Sequence, residues 1–420
     1  MMKILFFTDN FPPESNAPAS RTYEHATRWV RAGHEVTVVT CAPNFPQGRV
    51  HEGYRNRLWQ KETMDGIQVV RLWTYMAPNS GYARRVLDYV SFMIMGMLAA
   101  PFLPRPDVIV GTSPQFFTLV AAWWASIVKR APWVLELRDI WPESLKAVGA
   151  GEQGVVFAAL QRLELFLYRR ATRIVAVTNS FKRILVERGV PAEKIAVVTN
   201  GVDLTRFAFR EKDRKLLQSL DLEGRFVAGY IGTHGMAHGL GTLLDAAAKL
   251  AADPRFDQIV LLFVGDGARR EELRQDAAGR GLRNVRFAGP VPKHEIARYW
   301  SLLDLSIIHL RRTDLFATTI PSKMFECMGM GIPVALGVRG EALEILDRHE
   351  AGRGFMPEDA DDLVELITQL ANDPEGLARY RANGLAAAPY YDREALAQAM
   401  LCELETAAQH RLAARPRPLP

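Results

Sequence analysis

Cysteine is scarce in this 420-residue sequence, which contains only Cys41, Cys327 and Cys402. These three lie far apart and form no CxxC pair, so the sequence offers neither a disulfide framework nor a zinc site, and a reducing compartment is expected. We also expect no secretory leader, because the opening MMKILFFTDNF reaches Asp9 before a long apolar run has formed. We therefore expect a cytoplasmic protein.

Internal repeats and low-complexity segments are absent as well, which excludes solenoid and array architectures. Hydrophobic residues make up 48% and charged residues 24% of the chain, as in ordinary globular proteins. A chain of this length exceeds one ordinary hydrophobic core, so two domains are expected.

Net charge is distributed unevenly between the two halves of the chain. Residues 1–200 contain 24 Lys+Arg and 16 Asp+Glu, a net charge of +8, and residues 201–420 contain 28 and 31, a net charge of −3, which together make +5. A basic first half predicts a polyanionic partner for that half alone. Nucleic acid, an anionic membrane carrying a diphosphate-linked lipid, and a merely solvated basic surface are the three interpretations.

Short apolar runs alternate with helical patterns along the whole chain, which is typical of parallel sheets covered by helices on both faces. A second series of alternating apolar runs and helical patterns starts after Thr199-Asn-Gly-Val-Asp203. This predicts an α/β protein of two doubly wound domains, residues 1–199 and 200–390, with ligands beyond the carboxyl ends of the strands in a cleft. Residues 391–410 are predicted to form a helix that packs back toward the first domain, and residues 411–420 a flexible tail.

The most informative motif is Pro321-Ser-Lys-Met-Phe-Glu-Cys-Met-Gly-Met-Gly-Ile-Pro-Val334. It predicts a helix whose first turn carries Ser322 and Lys323, and the N-terminus of a helix suits a phosphate group. Glu326 follows one turn later and can accept hydrogen bonds from a ribose diol. The alternative is an ordinary helix–strand unit with a surface glutamate.

This motif resembles the E-x-M-x-x-G-x-P-V box of the retaining GT-B glycosyltransferases of family 4. Further family motifs follow in the expected order, namely PPE near residue 13, GHEVTVVT at 33–40, NGVD at 200–203 and Gly-Asp-Gly at 265–267. The match covers about residues 3–390. The stretches PPESNAPASR, CAPNFPQG and ELRDIWPES resemble the branch that builds bacterial O-antigen, capsule and exopolysaccharide, which includes N-acetyl-L-fucosamine transferases.

The resemblance implies a GT-B fold, a UDP-sugar donor bound by the second domain, and a lipid-diphosphate-linked sugar as acceptor. It implies neither a metal or cofactor nor a nucleic-acid partner. The residues expected at the donor are Gly232, His238, Gly265, Thr319, Ile320, Ser322, Lys323 and Glu326. Lys323 is expected to be catalytic, because it can stabilise the departing diphosphate.

Two departures from the family pattern bear on this site. Thr318 stands where family members usually have a second glutamate, and the loop Gly232–Gly239 lacks the usual Arg and Lys that hold the diphosphate. His238 occupies the position of that Lys. We expect Lys323, assisted by His238, to neutralise the diphosphate instead; for His238 the alternative is a partly exposed loop histidine.

Acceptor-side candidates lie in the first domain. Arg138 and Asp139 follow an apolar strand and are predicted to be catalytic, with one or the other contacting the transferred sugar or orienting the acceptor. The alternative is an Arg–Asp pair that braces the strand end. Glu14 and Arg21 flank the first loop and are predicted to reach the acceptor.

The sequence shows no metal-ligand cluster. Asp359-Ala-Asp361 imitates a DxD motif but precedes an apolar helical pattern, so an N-cap is predicted. Two other functions stay open, a GT-B epimerase acting on a UDP-sugar and a nucleotide-sugar binding protein without turnover.

A final prediction concerns the membrane. Residues 89–103 are nearly apolar and follow Arg84 and Arg85. Fifteen residues with Pro101 among them are too few to span a bilayer, which takes about 20. We expect peripheral contact with the cytoplasmic face of the plasma membrane through the N-terminal half; a buried core helix is the alternative.

Overall fold

The computed structural model describes residues 1–14, 16–45, 47–76, 82–141 and 155–413. The chain divides into two compact units. The first comprises residues 1–200 together with the helix that begins at Arg393, and the second comprises residues 201–392. The tail predicted from residue 411 lies outside the described residues from 414 onward.

The first domain is built on an eight-stranded sheet with the strand order β3-β4-β2-β1-β5-β6-β7-β8. Its strands are β1 (Lys3–Phe7), β2 (Glu35–Cys41), β3 (Trp59–Met64), β4 (Ile67–Leu72), β5 (Val108–Thr112), β6 (Trp133–Leu137), β7 (Arg173–Ala176) and β8 (Ile195–Val197). Every pair is parallel except β3 with β4. This edge hairpin was not predicted, although Asp65 and Gly66, both at positive φ, form a typical two-residue hairpin turn.

The helices of this domain begin with α1 (Ala17–Arg31), α2 (Tyr82–Ala99), α3 (Phe116–Lys129), α4 (Val155–Arg170) and α5 (Asn179–Glu187). Helix α1 begins at Ala17 because the Asn16 side chain accepts a hydrogen bond from the Ala19 amide at 2.9 Å and Pro18 is tolerated in a first turn. Arg21 is thereby placed inside the helix, on its buried face.

The second domain contains a six-stranded, wholly parallel sheet with the order β11-β10-β9-β12-β13-β14. Its strands are β9 (Phe226–Ile231), β10 (Ile259–Val264), β11 (Val285–Ala288), β12 (Leu305–His309), β13 (Val334–Gly337) and β14 (Gly352–Gly354). Its helices are α6 (Arg214–Ser219), α7 (Gly241–Ala251), α8 (Arg270–Gly279), α9 (Ile296–Trp300), α10 (Asp314–Ala317), α11 (Lys323–Met330), α12 (Glu341–His349), α13 (Ala360–Ala371) and α14 (Pro374–Ala387). Apolar clusters cover both faces of the sheet.

The last helix, α15 (Arg393–Ala413), returns to the first domain and packs against α1. The Trp29 indole donates a hydrogen bond to the Ala397 carbonyl at 2.9 Å, and the Arg28 guanidinium pairs with the Glu394 carboxylate at 2.9 Å. Buried apolar residues of α15, including Met400 and Leu404, complete a core cluster under the N-terminal sheet.

Both sheets have a topological switch point, where the chain reverses the direction in which it adds strands. In the second domain this point lies between β9 and β12, and in the first domain between β1 and β5. In open α/β sheets, ligands bind beyond the carboxyl ends of the strands at this point. A ligand-binding site is therefore expected in the segments that follow β9, β10 and β12.

Candidate active site

Lys323 lies at the switch point of the second domain. It begins helix α11, and its side chain reaches back so that Nζ lies over the Tyr230 ring, 4.0 Å from the ring centroid. Burial lowers the pKa of Lys323 to about 8, and the nearby Glu326 carboxylate opposes this only in part. Within the described residues, no ion pair or hydrogen bond joins Nζ to a carboxylate.

Two glycines allow the lysine to occupy this position. Gly232 follows β9 with φ +146°, and a side chain there would collide with Lys323 Nζ. Gly265 follows β10 with φ +133°, and a side chain there would collide with the Gly232 carbonyl. Both predicted glycines thus let backbone and ammonium approach closely at the strand ends.

Three histidines lie at this edge of the sheet. His234 is fully buried and His238 is half-buried, and burial followed by the charge of Lys323 lowers the pKa of each to about 4. Both rings are therefore neutral at pH 7. His309 ends β12; its Nε2 accepts from the Glu358 amide at 2.9 Å, so its Nδ1 carries the proton and donates to the His238 carbonyl at 2.7 Å.

Arg270 adds a second cation that the sequence reasoning missed. It is the first residue of α8, and its charge contributes to the lowered pKa of His234. Its Nη2 lies 3.4 Å from the place that a side chain on Gly289 would occupy, just after β11. Arg270 therefore extends the cationic region from the ends of β9 and β10 toward the end of β11.

Unsatisfied nitrogen atoms are concentrated here. Ten buried polar side-chain atoms in the described part of the chain lack a hydrogen-bond partner, and four of them belong to this region: both ring nitrogens of His234, Nδ1 of His238 and Nε of Arg270. Buried polar atoms without partners cost about 1–3 kcal/mol each. Nε of Arg270 and one nitrogen of each neutral histidine ring can donate to a ligand, and together with the Lys323 ammonium they suit an anionic, hydrogen-bonding ligand.

The other residues predicted to bind the sugar donor lie in or next to α10 and α11. Glu326 is half-buried and lies one helical turn after Ser322, whose hydroxyl does not cap the helix. Thr319 lies beside them, and its hydroxyl donates to the Phe316 carbonyl at 2.9 Å. Ile320 points elsewhere, because its side chain is buried in the apolar cluster of the second domain. A contact between the Ile320 backbone and the donor stays a prediction.

Thr318 occupies the position of the missing family glutamate. Its hydroxyl donates to the Leu315 carbonyl at 2.7 Å, within the short helix α10. A threonine at this position adds no charge to the site, so Glu326 is the acidic residue of this helix region that acts on Lys323.

In the first domain, the predicted Arg21 braces the end of the sheet. Its Nε pairs with Glu136 at 2.8 Å, and its two terminal nitrogens donate to the carbonyls of Thr199 and Val198 at 2.7 and 3.0 Å. Thr112 donates to the other oxygen of Glu136 at 2.6 Å. All nitrogen groups of Arg21 are thus engaged within the domain. Its predicted contact with the acceptor finds no support among these bonds and stays a prediction.

Arg138 and Asp139 lie beyond β6, and both of their amides donate to the Ser113 hydroxyl, at 2.7 and 3.2 Å. The Arg138 guanidinium is half-buried and donates to the Pro18 carbonyl at 3.3 Å. Burial lowers the pKa of Arg138 to about 10, with Glu136 acting in the opposite direction. The acid that acts on Arg138 is therefore Glu136. The structure holds Arg138 and Asp139 at the sheet edge, and their contact with a sugar stays a prediction.

Glu14 has one carboxylate oxygen without a hydrogen-bond partner among the described residues. One carboxylate oxygen accepts from the amides of Asn44 and Phe45 at 2.8 and 2.9 Å, whereas the other is buried and has no partner within the described residues. Burial raises the pKa of Glu14 despite these two hydrogen bonds. The arrangement leaves one carboxyl oxygen for a hydroxyl group of a ligand.

No group of three or more potential metal-ligating side chains occurs within the described ranges. The DxD-like pair is used differently: Asp359 accepts hydrogen bonds from the amides of Asp361 and Asp362 at 3.0 and 3.1 Å. Asp359 is the N-cap of α13, as predicted.

Comparison with known proteins agrees with this architecture. Residues 16–201 match the family described as "Glycosyl transferase 4-like domain", and residues 212–387 match "Glycosyl transferases group 1". A relative named as the colanic acid biosynthesis glycosyl transferase WcaI of Escherichia coli K12 is 27% identical over 79% of this chain and 82% of its own length. A GDP-mannose-dependent alpha-mannosyltransferase of Mycolicibacterium smegmatis is 24% identical over 79% of both chains.

Among solved structures, Anabaena Alr3699/HepE in complex with UDP and glucose superposes with a TM-score of 0.70 at 21% identity, covering 96% of this chain and 100% of that one. The two parallel-sheet domains and this likeness define a protein of the GT-B fold. Within that class, the two family matches and the relatives identify the chain as a glycosyltransferase.

Proposed function

We propose that this glycosyltransferase transfers a sugar from a UDP-sugar to a lipid-diphosphate-linked saccharide, with retention of anomeric configuration, in the synthesis of a bacterial surface polysaccharide. The observation that carries the proposal is the Lys323 ammonium, which lacks a carboxylate partner within the described residues and lies at the switch point beside four unpartnered nitrogen atoms. A nucleoside diphosphate offers negative charge and acceptor oxygens to the ammonium, to Arg270 and to the one N–H of each neutral histidine ring.

The proposed chemistry depends on stabilising the leaving group. The bond between the anomeric carbon and the diphosphate oxygen breaks while the acceptor hydroxyl oxygen bonds to that carbon, and the hydroxyl proton passes to the departing phosphate. Lys323, assisted by Arg270 and the neutral rings of His234 and His238, is positioned to stabilise the charge that develops on the diphosphate. Glu326 is proposed to accept the ribose hydroxyls.

The proposal also specifies which nucleotide the donor carries and which sugar is transferred. UDP is favoured because the structural neighbour HepE was solved with UDP, although the mycobacterial relative is named for GDP-mannose. The sequence resemblance to N-acetyl-L-fucosamine transferases makes an N-acetylated deoxyhexosamine the first sugar to test. A role in polysaccharide synthesis follows the relatives named for colanic and teichuronic acid.

For the acceptor, we propose that the first domain binds the sugar through the free oxygen of Glu14 and the sheet-edge residues Arg138 and Asp139. A carboxyl oxygen, a guanidinium and a second carboxylate suit a ligand with several hydroxyl groups. Lipid linkage of that sugar rests on the family resemblance and on the surface described in the next subsection.

The test is a product analysis with UDP- and GDP-sugars, a lipid-diphosphate saccharide acceptor, and excess EDTA in half of the reactions. The proposal expects a lengthened lipid-linked glycan from a UDP-sugar, in the donor's anomeric configuration by NMR, at the same rate with and without EDTA. A free epimerised UDP-sugar would instead identify an epimerase. Turnover with GDP-sugars alone would refute UDP as the donor nucleotide. Activity that is lost with EDTA and restored by magnesium would refute metal independence.

A further inference from the structure

Helix α2 has an apolar stripe that faces solvent. Leu87, Ile94 and Leu98 are exposed, and Phe102 continues the stripe in the 3₁₀ turn that follows the helix. These residues are spaced by seven, four and four positions, so they lie on one side of the helix. Leu98 is 62% and Phe102 79% exposed, values unusual for large apolar side chains of a folded domain.

The opposite side of α2 belongs to the core of the first domain. Phe92 and Ala99 are buried, and Met93 and Met97 pack against the core cluster. The stretch Arg84–Phe102 is long and apolar enough to cross a membrane by length and composition, with 28% of it buried. The apolar segment is therefore longer than predicted. One side of the helix packs into the domain, and the other faces solvent. The interpretation as a core helix concerns the first side, and the interpretation as a membrane contact concerns the second.

Helix α3 runs beside α2 in the same direction. The Gln115 side chain donates to the Tyr89 carbonyl at 3.3 Å, Gly96 lies against Ala121, and Lys129 donates to the Leu103 carbonyl at 2.6 Å. The C-terminal ends of the two helices are thus at the same level. There α3 exposes three further apolar residues: Trp124, Ile127 and Val128.

Charge on this helix pair is almost entirely positive. Asp88 is the one acidic residue in α2 and α3, and it is 8% exposed and accepts a hydrogen bond from Thr74. Basic residues lie at both ends of the pair: Arg84, Arg85, Arg105, Lys129 and Arg130. An apolar surface between two groups of cations, with its carboxylate turned inward, complements a negatively charged and hydrophobic partner.

We infer that the solvent-facing side of α2 and the C-terminal end of α3 form a surface that inserts into an anionic lipid bilayer at the interface. Exposed aliphatic and aromatic residues enter the headgroup–acyl boundary, and the flanking arginines bind lipid phosphates. The helix does not cross the bilayer, because its other side is part of the domain core. This inference concerns vesicle binding alone and does not depend on the proposed transfer reaction.

The experiment is flotation of the full-length protein with vesicles of phosphatidylcholine, with and without phosphatidylglycerol. The wild type is expected to float with anionic vesicles and to bind less as salt increases. Leu98→Gln/Phe102→Gln should lower the partition coefficient at least tenfold, because two large apolar groups no longer leave water. Arg84→Gln should lower binding to anionic vesicles about fivefold and leave binding to neutral vesicles unchanged.

Matched controls make the result decisive. Leu58→Gln changes an equally exposed leucine of the same domain, 69% accessible, and should leave flotation unchanged. Thermal unfolding of each variant shows whether the domains remain folded, so loss of vesicle binding alone supports the inference. Equal flotation of the double variant and the wild type would overturn it. So would a wild type that ignores vesicles and forms a dimer that the double variant disrupts, because the surface would then bind a second copy of the chain.

Discussion

Replacing Lys323 by alanine tests the donor site most directly. In the structure its ammonium is held over Tyr230 and Gly232 without a carboxylate partner among the described residues. A phosphate about 4 Å away interacts with it by about 4 kcal/mol at an effective dielectric constant of 20. Part of this is lost to water that replaces the side chain, so we expect Lys323→Ala to weaken UDP binding by about 2–3 kcal/mol, a factor of roughly 30–150.

The same lysine predicts a pH dependence. Its pKa in the free protein is lowered from 10.5 to about 8 by burial, so the group is mostly charged at pH 7 and mostly neutral at pH 9. A bound diphosphate favours the charged form, so UDP affinity should be highest below pH 8 and should fall as the pH rises through 8. The lowered pKa also means that the charged lysine destabilises the free protein, a penalty that grows as the pH falls from 10.5 to 8.

The assay is isothermal titration calorimetry with UDP and with uridine between pH 6 and pH 9. Lys323→Ala should lose the pH dependence above pH 7 and should bind uridine nearly as the wild type does. Lys249→Ala is the control and should bind UDP normally. It removes an exposed lysine of α7 that pairs with Asp361 of α13. Equal losses for UDP and uridine, or a pH profile unchanged by Lys323→Ala, would refute the assignment.

Three further predictions follow from the same structure. Glu326→Gln should weaken binding of both UDP and uridine by about 1.5–3 kcal/mol, because the ribose loses a charged acceptor; unchanged uridine affinity in calorimetry would contradict this role. His234→Leu should weaken UDP binding, since a ring N–H next to the charged Lys323 disappears; unchanged UDP affinity in calorimetry would contradict this role. Glu136 has a pKa of about 2, because Arg21, Arg138 and Thr112 outweigh its burial, so it should contribute about 3 kcal/mol of stability above pH 4.5 that is lost as the pH falls from 4.5 to 2. In urea unfolding, Glu136→Gln should therefore be less stable than the wild type at pH 7 and should approach it near pH 2, and a pH-independent difference would exclude this linkage.

Much of the fold was readable from the sequence because parallel strands leave a strong local signal. Buried on both faces, they are continuous apolar runs, as in Trp133–Leu137, Phe226–Ile231 and Ile259–Val264. The hairpin of β3 and β4 was missed because an exposed edge hairpin lacks such a run. The donor motif was also local, since Ser322, Lys323 and Glu326 belong to one helix.

What only the tertiary structure decided is which side chains meet. Nothing in the local sequence connects His234 and Arg270 with Lys323, because the three follow different strands and are brought together by the crossover connections of the sheet. Ile320 and Arg21 lie beside functional motifs in sequence, yet packing turns one into the core and engages the other with Glu136. The sequence by itself determined the strands, the motif-bearing helix and the basic first half. Burial and the lack of hydrogen-bond partners depend on contacts between distant segments, and these are what single out the charged lysine and its unpartnered neighbours.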